Sequence, residues 1–337
     1  MKKIAVCGVT GAVGKEVLRC LGHLPFGELS LTCYASERSA GKEVQTPFGT
    51  QTIERFSMEE CRGFDVVFLC VSGSFSSKYG KQLSIQNEVV IDNSSYFRLD
   101  DDVPLIIPEI NLSRCKGHRL ISNPNCTTAI LAVALYPIYR QFSLKRVIVS
   151  TYQATSGSGQ AAMDELASQT ANYLKSGKAG HRQFAHPIPF NLLPAIDRFE
   201  ANGYTREEMK VVHETRKIFD DDSILLSTTA VRVPTFRAHA ESVTIQTQHP
   251  VTPDAVREIL QNAPGVVVKD DPQEQVYPMP LTSTGQYDVE VGRIRANPIF
   301  GECGLDFFVC GDQLLKGAAL NATQIALQLF DANHFKQ

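Results

Sequence analysis

The sequence predicts an α/β protein in which a doubly wound parallel sheet is followed by a second, α+β domain. Over the first 120 residues, continuous apolar runs alternate with helical segments, as expected for strands that helices cover on both faces. After residue 224 the strands instead alternate apolar and polar side chains, which is typical of a sheet with one packed face and one exposed or dimerised face. A chain of 337 residues is also long enough for two cores, so two domains are expected.

The apolar periodicity places the elements along the chain. In the first part it predicts a helix over 15–24 and strands over 4–7, 29–34, 65–71 and 88–92. In the second part it predicts helices over 128–135 and 163–174 and strands over 147–152, 225–233, 241–247, 289–296 and 305–309. An amphipathic helix over 314–330 is expected to return to the first domain. The predicted domains are therefore residues 1–124 with 314–337, and residues 125–313.

Composition and charge argue against several classes of protein. A net charge of −3 provides no electrostatic basis for nucleic acid as a partner. No apolar run reaches the roughly 18–20 residues of a membrane helix, and the first apolar stretch is too short for a signal peptide. Nine cysteines without a CxxC pair and eight histidines without ligand spacing predict neither a disulfide framework nor a metal site. We therefore expect a cytoplasmic protein without metal, nucleic-acid or membrane partners.

A glycine-rich turn connects the first predicted strand to the first predicted helix. Glycines in the spacing GxxGxxG allow a tight turn and a close approach of the backbone to a pyrophosphate, which the helix N-terminus then attracts. This position makes the turn a candidate cofactor site in a Rossmann-type domain, although a tight turn without a ligand is the alternative. The candidate residues are Gly8, Thr10, Gly11, Ala12, Val13 and Gly14.

The end of the second predicted strand bears on the choice of dinucleotide. Arg38, flanked by Ser36 and Ser39, offers a fork of donors and two hydroxyls to a ribose 2′-phosphate, which favours NADP. Glu37 argues for NAD, because an acidic residue at this place binds the 2′-hydroxyl. A solvated charged loop without a ligand is the third interpretation.

Cys126 is the candidate nucleophile. It follows Asn123-Pro124-Asn125 and precedes an apolar helical segment, so it is expected at or just before a helix N-terminus, where thiolate becomes available. His239 stands between two strand-like segments and is the candidate proton partner. A buried structural cysteine and a surface histidine are the alternatives that the local pattern leaves open.

Taken together, the motifs of this chain resemble the aspartate-semialdehyde dehydrogenase family. They run in family order over about residues 4–326. The matching segments are residues 8–14, 36–42, 92–95 with Arg98, 108–111, 123–127, 151–153 with 156–159, 189–191, 207–210, 232–234 with His239 and Glu241, and 316–321.

The resemblance implies a fold similar to glyceraldehyde-3-phosphate dehydrogenase and a reversible, NADP-dependent reaction. In it, L-4-aspartyl phosphate is reduced to L-aspartate 4-semialdehyde, with inorganic phosphate as co-substrate of the reverse direction. The reaction feeds lysine, threonine, methionine and diaminopimelate biosynthesis. The resemblance also implies a homodimer formed through the second domain, in agreement with the open strand alternation there.

The resemblance also assigns roles to individual residues. The implied catalytic residues are Cys126 as nucleophile, His239 as general acid/base and Gln153 as the group that orients the intermediate. Arg232 is implied to bind the substrate α-carboxylate and Glu207 its α-ammonium group. The phosphate position is implied to lie at Arg98, Asn125 and Lys210. The implied cofactor residues add Ser156, Gly157 and Asn321 to the glycine turn and the Ser36–Ser39 segment.

Three positions depart from the usual family pattern. The residues on either side of the histidine are commonly Gly and Ser, but here they are Ala238 and Ala240, and Gln313 replaces an Asn after Asp312. None removes a reacting group, so activity is expected to survive, while rate and cofactor preference depend on these changes. An enzyme resembling N-acetylglutamyl-phosphate reductase and a non-catalytic binding paralogue are the rival interpretations.

Overall fold

The computed structural model of the chain describes residues 1–331. Its contacts divide the chain into two units, one formed by residues 1–124 with residues 318–331, and the other by Asn125–Gly317. The second dividing point falls four residues after the predicted one, because the turn that precedes it is bonded within the second unit. The Gly317 N–H donates to the Asp312 carbonyl at 3.2 Å.

The first unit is built on a parallel sheet. Its N-terminal elements are β1 (Lys2–Cys7), α1 (Ala12–His23), β2 (Leu29–Ala35), β3 (Glu43–Thr46), β4 (Gly49–Thr52), β5 (Glu54–Arg55), β6 (Val66–Leu69), α2 (Gly73–Gln86), β7 (Val89–Asp92), α3 (Pro108–Asn111) and β8 (Leu120–Ser122). Six strands pair in parallel in the order β5-β2-β1-β6-β7-β8. The order reverses beside β1, and in open parallel sheets ligands bind at the carboxyl ends of the strands at such a point.

The second unit is built on a mixed sheet. Its elements are α4 (Cys126–Phe142), β9 (Leu144–Gln153), α5 (Gln160–Ser176), α6 (Arg206–Phe219), β10 (Leu225–Arg232), β11 (His239–Thr247), α7 (Pro253–Gln261), β12 (Val266–Val268), α8 (Pro280–Ser283), β13 (Val289–Ala296) and β14 (Gly304–Gly311). The strand order is β10-β9-β11-β14-β13-β12. Parallel pairs join β9 to β10 and β12 to β13, whereas β11 runs antiparallel to β9 and β14. The predicted α/β class, with a doubly wound domain followed by an α+β domain, is confirmed.

The chain returns to the first unit through a π-helical turn, Leu315–Ala319, which is followed by α9 (Leu320–Asp331). This helix packs on α1 and α3 within the first unit. The predicted helix over 314–330 therefore begins as a π turn. The last part of the predicted first domain, residues 332–337, lies outside the described residues.

The second sheet has one buried and one open face, as the alternation predicted. On β9, Val147 and Val149 are buried, whereas the intervening Ile148 is 47% exposed. On β14, Phe307 and Val309 are buried and Phe308 is only partly buried. Helix α4 packs against the strands β9, β11, β13 and β14. The open face is therefore available to a partner.

Helix boundaries differ from the prediction where capping decides them. Helix α4 begins at Cys126, two residues earlier than predicted, because the Asn125 side chain accepts hydrogen bonds from the N–H groups of Thr127 and Thr128 at 3.0 and 3.2 Å. The helix also continues through Pro137 to Phe142, beyond the purely apolar segment. The β3–β4 hairpin was not predicted, since its strands are short and polar.

Candidate active site

The glycine turn after β1 forms a cradle that side chains would fill. Gly8 has φ +88°, and a Cβ on this residue would lie 2.2 Å from the Cys70 carbonyl oxygen. A Cβ on Gly14 would lie 2.3 Å from the Gly8 carbonyl oxygen. Gly11 is the N-cap of α1 and has no side chain to bond the first N–H groups of the helix. The helix N-terminus is therefore open to an anion. The backbone therefore fits the pyrophosphate site that the motif predicted.

Asn321, at the start of α9, supplies a polar group in the same unit. Its side chain is fully buried, and its Nδ2 donates to the Ile106 carbonyl at 2.9 Å and to Asn123 Oδ1 at 2.7 Å. Its Oδ1 has no hydrogen-bond partner among the described residues. A buried acceptor without a protein partner fits a donor on a ligand, so this residue is suited to the cofactor role that the resemblance implied.

The turn after β2 presents its charged side chains to solvent. Ser36, Glu37 and Arg38 are exposed, and the Ser39 N–H donates to the Ser36 carbonyl at 2.9 Å. The carboxylate of Glu37 lies 3.3 Å from the guanidinium of Arg55. The acidic residue that argued for NAD is thus paired with a second arginine.

The nucleophile candidate occupies the position that the sequence predicted. Cys126 is the first residue of α4 and is partly exposed. The N–H of Asn125, which precedes it, donates to Glu214 Oε2 at 2.6 Å. Gly317 packs against the cysteine, because a Cβ on this glycine would lie 2.8 Å from Cys126 Cβ. The thiol is therefore held at a helix N-terminus, where the helix dipole favours an anion.

Helix α6 contributes an ionised carboxylate. Glu207 Oε1 accepts hydrogen bonds from Asn125 Nδ2 at 2.9 Å and from Gln153 Nε2 at 3.2 Å, and its Oε2 lies 2.9 Å from Lys210 Nζ. Burial opposes ionisation of Glu207, but the Lys210 charge and these hydrogen bonds outweigh it and lower its pKa to about 2. Lys210 also pairs with Asp197 at 3.0 Å, and the two carboxylates raise its pKa against the effect of burial. Glu207 and Lys210, three residues apart on α6, are therefore both charged at neutral pH.

Arg232 and His239 lie at adjoining strand ends, Arg232 as the last residue of β10 and His239 as the first of β11. Both bond the backbone of Ala154. Arg232 Nη1 donates to the Ala154 carbonyl at 2.6 Å, and the Ala154 N–H donates to His239 Nδ1 at 3.1 Å. Burial and the charge of Arg232 lower the pKa of His239 to about 3, although Glu207 acts in the opposite direction. The imidazole is therefore neutral at physiological pH.

Gly157 allows the close approach of these two side chains. A Cβ on Gly157 would lie 2.9 Å from Arg232 Nη1 and 3.3 Å from His239 Cε1 and Nε2. The glycine that the resemblance assigned to the cofactor therefore also borders the proposed catalytic groups. Its neighbour Ser156 is buried and bonds Gln313 through its Oγ.

These contacts join most of the predicted site residues into one cluster within the second unit. Asn125 contacts Glu207, Glu207 contacts Gln153, and Gln153 Nε2 lies 3.5 Å from His239 Nε2. Cys126 lies close enough to Arg232 that a thiolate there would act to raise the pKa of the guanidinium, against the larger effect of burial. Five elements thus contribute, which are the start of α4, the end of β9, helix α6, and the end of β10 and the start of β11 on either side of β9.

Arg98 belongs to the first unit. Its Nε donates to the Asn123 carbonyl at 2.9 Å and its Nη2 to the Asn93 carbonyl at 3.0 Å. The guanidinium is buried and held by main-chain oxygens. Its role at the phosphate position stays a prediction.

Three residues of the site were not predicted from the sequence. Asp197 binds Lys210, Glu214 binds the backbone before the nucleophile, and Gly317 packs on Cys126. Glu214 could have been found, because it follows Glu207 by seven residues on a helix and so lies on the same side. Asp197 lies in a loop, and no sequence pattern connects it to the helix.

Neither a metal site nor a membrane span is found in the part of the chain that the structure describes. Residues 1–331 contain no group of three or more His, Cys, Asp or Glu side chains that could hold a metal ion. In the same residues, no helix combines the length and the apolar character needed to cross a membrane.

Comparisons with known proteins give the same family over nearly the whole chain. Residues 3–118 match the family described as "Semialdehyde dehydrogenase, NAD binding domain", and residues 135–316 match "Semialdehyde dehydrogenase, dimerisation domain". The chain is 44% identical to an aspartate-semialdehyde dehydrogenase of Aquifex aeolicus over 329 residues, covering 96% of each chain. It is 40% identical to that of Bacillus subtilis over 343 residues, covering 98% of each.

Solved structures agree with these relatives. The fold is similar to a crystal structure described as aspartate semialdehyde dehydrogenase II complexed with ASA, from Vibrio cholerae, with a TM-score of 0.91. The two chains are 38% identical, and the match covers 98% of each. With both family regions matched and full-length relatives at 40% identity or more, the chain belongs to the aspartate-semialdehyde dehydrogenase family of oxidoreductases.

Proposed function

We propose that the chain catalyses the reversible, NADP-dependent reduction of L-4-aspartyl phosphate to L-aspartate 4-semialdehyde, with release of inorganic phosphate. The observation that supports this most directly is the cluster of Cys126, Glu207, Arg232 and His239 within the second unit. It combines a nucleophile, an anion and a cation for a zwitterionic substrate, and a proton carrier.

The charges of the cluster fit the two ends of an amino acid. Arg232 presents a planar guanidinium that can bind the α-carboxylate in bidentate fashion. Glu207 is ionised and can accept the α-ammonium group, while Lys210 next to it offers a point charge to a phosphate oxygen. The relative from Vibrio cholerae was solved with ASA, which supports a small amino-acid aldehyde as the ligand of this site.

The nucleophile explains why a covalent step is used. The Cys126 thiolate attacks the acyl carbon, a carbon–sulfur bond forms, and the carbon–oxygen bond to phosphate breaks. The resulting thioester accepts a hydride more readily than a carboxylate would. NADPH, when bound, would supply that hydride, after which the carbon–sulfur bond breaks, the aldehyde is released and the Cys126 thiolate is restored. Gln153, which contacts both Glu207 and His239, is the residue proposed to orient the thioester.

His239 is the proposed general acid/base, which gives a proton to the substrate oxygen and takes it back when the aldehyde is released. Its Nδ1 accepts a hydrogen bond from the Ala154 N–H, which favours a neutral ring with its proton on Nε2. A substrate carboxylate bound to Arg232 would offset the positive charge that helps to lower the pKa of His239. Substrate binding therefore favours protonation of the ring at the stage when the thioester oxygen gains negative charge from hydride transfer.

The covalent mechanism is tested by Cys126→Ala, with Cys303→Ala as the matched control. Both cysteines are partly exposed, but Cys303 lies in a 3-10 turn, Gly301–Cys303, away from the cluster. We expect Cys126→Ala to lower the rate of phosphate-dependent NADP reduction by more than about 10⁴-fold, because the nucleophile is lost. Cys303→Ala should retain the activity. A Cys126→Ala enzyme with near-normal turnover would contradict the proposal.

The preference for NADP is proposed from Arg38 and supported by the pairing of Glu37 with Arg55. Arg38→Ala should raise the KM for NADPH by about tenfold or more and change the KM for NADH little, because only NADPH carries the 2′-phosphate. Initial rates with both cofactors check this expectation. Equal changes in the KM for NADPH and for NADH would show that Arg38 does not distinguish the two cofactors.

The homodimer is proposed from the open face of the second sheet and from the match to a dimerisation domain.

The rival N-acetylglutamyl-phosphate reductase activity would leave the ionised Glu207 without a substrate ammonium group to bind. Assays with both acyl phosphates distinguish the two substrates, and only aspartyl phosphate is expected to be turned over.

A further inference from the structure

The backbone immediately before His239 adopts an unusual conformation. Ala238 has φ +66°, in the left-handed region that side-chain-bearing residues rarely adopt, and it is fully buried. An alanine there is disfavoured because its Cβ approaches the carbonyl oxygen, so surrounding contacts must hold it. Any relaxation of this residue would move His239, the first residue of β11.

The side chain of Gln313 holds this conformation through two hydrogen bonds. Its Oε1 accepts a hydrogen bond from the Ala238 N–H at 2.8 Å, and its Nε2 donates to Ser156 Oγ. The glutamine and the serine are both 2% exposed, so water does not compete for these bonds. One buried amide therefore joins the segment before His239 to the Ser156–Gly157 turn, which lies against the imidazole and Arg232.

The segment that carries Gln313 is itself fixed. Asp312 Oδ1 accepts from the N–H groups of Leu314 and Leu315 at 3.0 and 3.3 Å, and Oδ2 binds Arg237 Nε at 2.6 Å and the Gly285 N–H at 2.7 Å. Arg237 directly precedes Ala238. The pair Asp312 and Gln313 thus contacts two successive residues of the chain that leads into His239.

We propose that Gln313 is a positioning residue that keeps Ala238 in its left-handed conformation and so orients the imidazole of His239. The inference rests on the role of His239 in the proposed function. Gln313 acts through Ala238 and Ser156. It also accounts for the tolerance of alanine at residue 238, where glycine would adopt the same conformation without a side-chain clamp.

The test compares three variants of the full-length enzyme. Gln313→Met keeps the length of the side chain and removes both hydrogen bonds, Gln313→Glu keeps the acceptor for the Ala238 N–H, and Gln313→Met/Ala238→Gly removes the conformational penalty. We expect Gln313→Met to lower kcat by about 10- to 100-fold, as a displaced catalytic group does, with little change in the KM for NADP. Gln313→Glu should retain most of kcat, and the glycine substitution should restore most of what Gln313→Met loses.

The pH profile separates positioning from a general loss of structure. If His239 becomes mobile and hydrated in Gln313→Met, its pKa should rise toward the ordinary value, and the acid limb of the kcat profile should move to higher pH. Gln261→Ala, at an exposed glutamine that ends α7, is the control and should change neither parameter.

The results distinguish a positioning role of Gln313 from a role in cofactor binding alone and from no role. Full kcat in Gln313→Met would overturn the inference, and so would a loss confined to the KM for NADP or a loss that Ala238→Gly does not reduce. If Gln313→Met does not fold, the inference stands only if Gln313→Glu is active and has the wild-type pH profile. His239→Asn is assayed in parallel, since high activity in that variant would remove the role of His239 itself, whereas its inactivity beside a fully active Gln313→Met would remove only the positioning role.

Discussion

Two buried glutamates of the second unit show how partners decide the charge of a residue. Glu207 is surrounded by an ammonium group and two amide donors, and it remains ionised with a pKa of about 2. Glu241, two residues after His239 on β11, is fully buried, and neither carboxyl oxygen has a hydrogen-bond partner among the described residues. Burial alone raises its pKa well above the ordinary value. Burial thus opposes ionisation of both carboxyl groups, and only Glu207 has partners that outweigh it.

The raised pKa of Glu241 predicts a pH-dependent effect of Glu241→Gln. Because the folded-state pKa is raised, the stability tied to this group is fully present below the unfolded pKa of about 4.3 and is lost as pH rises toward the folded value. Glutamine does not titrate, so the variant should gain thermal stability relative to the wild type between pH 5 and pH 8. Unfolding temperatures at both pH values check this.

The control for this experiment is Glu258→Gln, at an exposed position of α7. Its effect on the unfolding temperature should be small and nearly independent of pH. A Glu241→Gln variant whose unfolding temperature changed equally at both pH values would show that the carboxyl is ionised in the folded enzyme.

At the scale of elements, the proposed active site depends on how α6 faces the start of α4. Glu207, Lys210 and Glu214 lie on one side of α6 at spacings of three and seven residues. A capping box fixes the beginning of the helix, because Thr205 and Glu208 exchange hydrogen bonds. One helix therefore presents the charges proposed to bind the substrate and also anchors Asn125, the residue before the proposed nucleophile.

This arrangement predicts different effects of two substitutions at Glu214. Glu214→Leu removes the acceptor of the buried Asn125 N–H and should destabilise the enzyme by about 1–3 kcal/mol. It should also slow alkylation of Cys126 by iodoacetamide, because the helix N-terminus that holds the thiol becomes less ordered. Glu214→Gln keeps an acceptor, so its losses of stability and of alkylation rate should be smaller. Denaturant unfolding and thiol labelling measure the two effects, and equal losses in both variants would contradict this explanation.

At the scale of the whole molecule, the open face of the second sheet predicts the assembly state. Tyr152 on β9 and Phe308 on β14 stack with ring centroids 6.2 Å apart on this face, which also carries the exposed Ile148. Ile148→Lys should weaken the dimer, because a buried unpaired charge at an interface is costly. Ile85→Lys is the control, since Ile85 is 76% exposed on α2 of the first unit. Molar masses from light scattering distinguish a monomer from a dimer, and an unchanged Ile148→Lys dimer would place the interface elsewhere.

Local patterns were sufficient for features that depend on neighbouring residues. The glycine turn and the position of Cys126 at a helix start follow from local sequence patterns, and the structure contains both. Helix ends were less accurate, because Asn125 extends α4 through a side-chain contact that hydrophobic periodicity does not register. The contacts of the chain return to the first unit at residue 318, whereas the predicted return was at residue 314, and polar contacts hold residues 312–317 in the second unit.

By itself, then, the sequence determined the α/β class, the family, and the chemical types that a cysteine-dependent dehydrogenase needs. Tertiary structure alone decided which partners surround each group. Residues as distant in the chain as Asn125 and Glu207, or Ala238 and Gln313, meet only after folding. Charge, proton position and backbone strain depend on such contacts, because hydrogen bonds and electrostatic interactions in a buried site act over a few ångströms of space and not along the chain.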